Sequence, residues 1–239
     1  MAEDRNWRKR LGSLAEILLA LGVPTDILAS LTLAHFPAVS DPLASVKALA
    51  AFTTLSSLLL LSLIGILQRM RGESFFGSFL GPRSRLGKEA LRGLLWVPAI
   101  FAVAYLLKSF FLHAAPSVYS GEKNVLEEMM RSPGDLALFL FVALFTGGIK
   151  EEFQRAFVIR RFEAGWGPAW IGALLFAGYF GYGHRVQGLD EAIIAGLIGL
   201  AWGLLFIARK SVVAPAVNHG LYDALELIRY YAFGPMRYF

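Results

Sequence analysis

Long apolar runs separated by short clusters of charge organise this 239-residue chain. Runs close to the ~20 residues that a helix needs to cross a bilayer occupy 46–68 and 93–112. Others start at Leu136, span 169–184 and 192–208, and follow Ser211 to about Tyr231. Residues 11–36 make a weaker candidate, because Glu16, Pro24 and Asp26 interrupt it; a broken or interfacial helix fits that pattern. The pattern predicts an all-α protein, a polytopic transmembrane helical bundle with about six strong spans and one weak N-terminal span. It is expected to form a single membrane domain over 1–239.

The connections give an orientation. Arg69, Arg71, Arg83, Arg85, Lys88 and Arg92 outweigh Glu73 and Glu89 between the second and third runs, and Arg209-Lys210 precedes the last. Such excesses of basic residues mark cytoplasmic connections. Between Ala114 and Asp135 the balance reverses, with Glu122, Glu127, Glu128 and Asp135 against Lys123 and Arg131, so this connection is expected outside. The middle of the basic connection, Ser74 to Leu80, suits a membrane surface. Arg5 to Arg10 resemble the charged start of a signal sequence, but no small-residue cleavage site follows, and the segment reads as retained.

Composition agrees. A chain that is 56% hydrophobic and 17% charged is too apolar for an ordinary soluble domain. Its net charge of +5 resides in the connections and needs no nucleic-acid partner. The partners expected are membrane lipid and a peptide or protein, and the location an integral membrane one, in a bacterial plasma (inner) membrane. With no cysteine, disulfides, thiolate metal sites and a cysteine nucleophile are excluded.

The chemistry concentrates behind Leu136. An uncharged run to Phe145 leads into Gly147-Gly148-Ile149-Lys150-Glu151-Glu152-Phe153-Gln154-Arg155, and the apolar pattern resumes at Phe157. A charge at membrane depth costs roughly 2.5–3.5 kcal/mol on insertion scales, so such groups face a cavity or a partner. On one regular helix Glu151 and Arg155 stand at i,i+4 and pair, while Glu152 points about 100° away. The bland alternative is a helix reaching the membrane surface, with Arg160 and Arg161 soon after. Two further segments weigh against it: Phe180 to His184 and His219 to Asp223 each bring a histidine out of an apolar run. His219 and Asp223, at i,i+4, share a helix face, where Asp223 can orient the imidazole. His35 and His113 read as structural or interfacial, Lys108 as snorkelling to the interface, and Glu16 and Asp26 as edge or cavity-lining residues.

These three segments resemble the marks of the CAAX prenyl endopeptidase type II family, also described as CPBP intramembrane proteases. Those marks are Glu-Glu-x-x-x-Arg, Phe-x-x-x-His and His-x-x-x-Asn/Asp on membrane helices. The likeness covers about Leu136 to Tyr231, so 136–231 would be a catalytic core. The first motif fits in two registers. Anchored on Arg155, the glutamate positions hold Lys150 and Glu151; anchored on Glu151-Glu152, the arginine position holds Ala156. The first is preferred because it keeps the Glu151–Arg155 pair. It leaves Glu152 to replace the family's leading glutamate, which activates water.

The resemblance implies an intramembrane endopeptidase whose site draws on Glu151, Glu152, Arg155, His184, His219 and Asp223. Substrates could be prenylated C-terminal peptides, leader-bearing peptides or membrane proteins. A metal-free Glu/His mechanism is favoured and no cofactor is assigned, with zinc left open by the two histidines and a glutamate. Two alternatives stand beside it: a non-catalytic scaffold or immunity protein keeping the protease fold, which Lys150 favours, and a proton-coupled transporter. One expectation is geometric. Glu151 should lie toward the inner end of its helix and His184 toward the outer end of the next, on the order of 10 Å apart in depth, a mismatch that Gly178, Gly181 and Gly183 could remove by unwinding.

Overall fold

The computed structural model describes residues 2–121 and 124–235, so Glu122 and Lys123 of the polar connection lie outside it. Its regular elements are helices: α1 (Ala2–Ala20), α2 (Val23–Leu33), α3 (Val46–Met70), α4 (Phe75–Leu80), α5 (Leu86–Ala114) and α6 (Val125–Glu128). Then α7 (Pro133–Val142) continues through a π-helical stretch (Ala143–Glu151) into α8 (Glu152–Gly165). α9 (Ala169–Gly183), α10 (Leu189–Arg209) and α11 (Val213–Phe233) complete the bundle.

Among the described residues four helical stretches are long and apolar enough to cross a membrane: Trp7–Leu33, Val46–Met70, Arg83–Ala114 and Leu189–Arg209. That differs from six strong spans and a weak one. α9 is short, and the helices through Glu151 and His219 carry the charge of the site itself. The N-terminal stretch qualifies on length and hydropathy, and its polar residues have internal partners. Glu16 meets Arg71 at 2.7 Å and Arg161 at 2.5 Å, and Ser56 Oγ donates to Asp26. Pro24 stands in the first turn of α2, where its missing N–H is no loss.

The core runs through α8, α9 and α10. Phe153, Phe157, Ile159, Phe176, Ile198 and Trp202 are buried there. Gly199 and Gly203, at the small-residue spacing that permits close helix packing, face α9: a Cβ would come within 2.8 Å of Phe180 at the first and 3.2 Å of Ala173 at the second. At the basic end, Arg209 bonds Glu89 at 2.9 Å, Arg161 bonds Glu73 at 2.8 Å, and Arg160 donates to the carbonyl of Ser78. α8 continues past Arg160 and Arg161 to Gly165, and Glu151 falls mid-way along the helical stretch 133–165.

Two local expectations are corrected. Lys108 does not snorkel: it is buried, 2.8 Å from Asp190 and 2.5 Å from Glu191. α9 does not unwind at its glycines and stays helical through Gly183.

Candidate active site

Gly147 and Gly148 set the site up. A Cβ on Gly147 would stand 2.6 Å from the Asp223 carboxylate, and one on Gly148 would stand 3.1 Å from both the Gly220 Cα and the Ala216 carbonyl. Only side chains this small let the 143–151 stretch lie directly on α11 at His219–Gly220. The π-helical turns there bond i to i+5 and are widened accordingly; such turns are frequent at functional sites.

Glu152, the first residue of α8, is 1% exposed, and Arg155 donates to it from the next turn; Arg155 is itself fully buried. The expected Glu151–Arg155 pair is replaced by Glu152–Arg155 at i,i+3, because Glu152 is drawn into the buried layer by His219 Nδ1 as well, while Glu151 faces the cavity. The Arg155 guanidinium lies 4.8 Å from the Phe180 ring centre and 5.4 Å from that of Trp202, so aromatic faces supply the rest of its surroundings.

His219, also buried, joins the two layers. Its Nδ1 lies 2.7 Å from Glu152 Oε1. A carboxylate only accepts, so Nδ1 carries a proton and donates. Its Nε2 faces the open side, 3.3 Å from Asp223 Oδ2 and 3.7 Å from Glu151 Oε2. The imidazole stacks on Trp202 with ring centres 3.7 Å apart. Trp202 Nε1–H in turn donates to Asn218 Oδ1 at 2.7 Å, and Asn218 Nδ2–H to the Gly93 carbonyl at 2.9 Å. A Cβ on Gly93 would stand 2.4 Å from the Ala214 carbonyl, so α5 and α11 touch backbone to backbone there. Trp202, Asn218 and Gly93 went unnoticed in the sequence, although an Asn directly before the site histidine was a visible signal.

A cavity of about 330 Å³ opens in front of this arrangement, and Glu151, His184, His219 and Asp223 all line it. Glu152 and Arg155 do not; they stand behind His219. His184 ends α9 and donates from Nδ1 to the Phe180 carbonyl at 2.8 Å, which leaves Nε2 as an acceptor. The Phe180 ring touches both histidines, 4.5 Å from His184 and 5.9 Å from His219 between ring centres. Lys150 Nζ lies 3.9 Å from Glu151 Oε1, on the side away from His219. Lys108, Glu127, Glu191 and Glu226 line the far part of the cavity. Glu127, on α6 outside the spans, has its carboxyl pushed up to about 7 by burial and by the neighbouring Glu226 and Glu191 charges.

Among the described residues no three His, Asp or Glu side chains are arranged to hold a metal ion.

Residues 132–225 match the family model described as Rce1-like, type II CAAX prenyl endopeptidase. No curated protein and no solved structure matches the chain.

Proposed function

We propose that this integral membrane protein, whose residues 132–225 match the Rce1-like type II CAAX prenyl endopeptidase model, is an intramembrane endopeptidase and that Glu151, not Glu152, is its general base. The observation that carries this reading is the division of the adjacent carboxylates. Glu151 lines the cavity with His184 and His219, and Glu152 is sealed against Arg155. This follows the register anchored on Glu151-Glu152, with the arginine one position early.

A water held between the Glu151 carboxylate and His184 Nε2 gives its proton to Glu151, and its oxygen attacks the scissile carbonyl carbon. His219, acting as the imidazolium with its Nδ1–H on Glu152, donates its Nε2–H to the oxyanion as charge develops there. The tetrahedral centre collapses, the C–N bond breaks, and the leaving amine takes the proton from Glu151. Glu152 and Arg155 hold the His219 ring through Nδ1, and Asp223 orients Nε2; these three are positioning residues. The substrate is a peptide segment presented from the membrane, prenylated or not.

The test is cleavage of a panel of prenylated and unprenylated membrane peptides by purified protein. Wild type should cut at least one of them and His184→Ala should lower that rate by 10²-fold or more, the usual scale for a group handling a reacting proton. Unchanged cleavage by His184→Ala defeats the mechanism. The contact of Lys150 with Glu151 favours a second reading, a non-catalytic protein that keeps the cavity as a binding site. On that reading the wild type cuts nothing and Lys150→Gln, which frees the carboxylate, still cuts nothing.

A further inference from the structure

A second cavity, about 430 Å³, lies at the basic end between α8, α10 and the start of α9, far along α8 from the site. Arg160, Arg161 and Lys210 line it, and Phe206, Ile207 and Ile159 form an apolar wall. Arg161 is 3% exposed, and its Nη2 has no hydrogen-bond partner. Arg160 is held in place by the Ser78 carbonyl. Among the described residues neither Arg160 nor Lys210 is paired with a carboxylate. Two glutamates also line the space, but Glu73 is engaged with Arg161 and Glu163 stands exposed at the rim.

Lys210 adds an independent sign. It is the one non-glycine residue with positive φ among those described, at φ 52 and ψ 34, closing α10. Glycine adopts this left-handed position without steric cost and is the usual residue there. A lysine kept in it points to use of the side chain. Ala169, the first residue of the 15-residue helix α9, also borders the cavity, and the capping residue Pro168 supplies no side-chain acceptor. That helix end adds partial positive charge. Trp166 and Trp170, 46% and 55% exposed on the adjoining turn, are the residue type that settles at headgroup level.

We propose that this cavity binds the headgroup of an anionic phospholipid, with phosphate oxygens on Arg160, Arg161 and Lys210 and the first acyl carbons along Phe206 and Ile207. The combination of cations, a wall of apolar side chains and an aromatic rim suits an amphiphile better than a free ion. The site is separate from the cavity of Glu151, so its test does not depend on proteolysis.

Thermal unfolding of the protein in neutral detergent, titrated with phosphatidylglycerol, phosphatidylcholine or glycerol 3-phosphate, decides it. Phosphatidylglycerol should stabilise wild type saturably and phosphatidylcholine should not. Lys210→Gly relieves the backbone, so its melting temperature without lipid should equal or exceed that of wild type. Yet it should require roughly fivefold more phosphatidylglycerol for half-saturation, the usual worth of one cation near a charged lipid. Arg160→Gln should behave alike, and the double variant should lose the preference for phosphatidylglycerol. Equal stabilisation by both lipids, or an unchanged half-saturation in the double variant, overturns the proposal. So does a full shift from glycerol 3-phosphate alone, which would mark a site for free phosphate.

Discussion

Removing the Arg155 guanidinium is the sharpest perturbation of the buried layer. Arg155→Met keeps most of the side chain's volume among Phe176, Phe180 and Trp202, so little of the effect comes from an empty space. What it removes is the partner of a carboxylate that is 1% exposed. Breaking a buried ion pair from one side costs about 3–5 kcal/mol, because a charge stays behind without compensation. Here His219 Nδ1–H remains at 2.7 Å from Glu152, which places the loss near the lower end, about 3 kcal/mol. For a chain of this size each kcal/mol moves the melting temperature by about 2–4 °C, so a drop of about 6–12 °C is expected. Thermal unfolding in detergent reads it. The double variant Arg155→Met/Glu152→Gln should recover part of the loss, since no buried charge is then left over. A melting temperature within about 2 °C of wild type for Arg155→Met would refute the reasoning, as would a double variant that loses the full sum of the two single effects.

Further outcomes follow from the supporting shell and from the cavity mouth. Gly148→Ala brings a methyl to 3.1 Å from backbone atoms of α11 that cannot rotate away. It should cost about 1–3 kcal/mol of stability, as overpacking does, and lower any cleavage activity by spreading the two helices. Trp202→Phe keeps a ring under His219 but leaves Asn218 Oδ1 without its donor; the loss should be about 1–3 kcal/mol, and Asn218→Ala on top of it should cost more, since the Gly93 carbonyl then loses its donor too, read by the same melts. Glu127 has a carboxyl pushed up to about 7 from an ordinary 4.5. An acid with a raised folded-state value favours folding while protonated, so its contribution is intact below pH ~4.5 and is lost as pH rises through about 7. Glu127→Gln should therefore raise the melting temperature above pH 7 and leave it unchanged near pH 4; equal effects at both pH values would contradict the burial of that carboxyl.

How much of this was readable depended on whether a residue's meaning required knowing its neighbours in space. His184, His219 and Asp223 stood out because a polar group in an apolar helix has few uses, and the structure brings all three to one cavity with Glu151. The helical bundle was equally plain from the apolar runs. The roles of Glu151 and Glu152 were not, because adjacent carboxylates on one turn are told apart only by what packs against them, here Arg155 and His219 on Glu152. Gly147 and Gly148 were in view, but their reason, the backbone of α11 at Ala216 and Gly220, lies far along the chain. Lys108 looked like an interfacial lysine for the same reason, since Asp190 and Glu191 are distant in sequence and adjacent in space. The N-terminal stretch looked weak only because Arg161 and Ser56, the partners of Glu16 and Asp26, could not be foreseen.

The division of labour between the two adjacent glutamates is tested most directly by single-turnover cleavage with Glu151→Gln and Glu152→Gln side by side, each paired with a thermal melt. An amide keeps the size of the carboxyl but cannot take a proton from water. We expect Glu151→Gln to unfold like wild type and to lose 10²-fold or more of its cleavage rate, on the scale of a general base. Glu152→Gln should instead melt lower and retain measurable cleavage, because it disturbs the hold on His219 and not the water. The opposite pattern, full activity in Glu151→Gln and none in a stable Glu152→Gln, would contradict the assignment of Glu151 as the base.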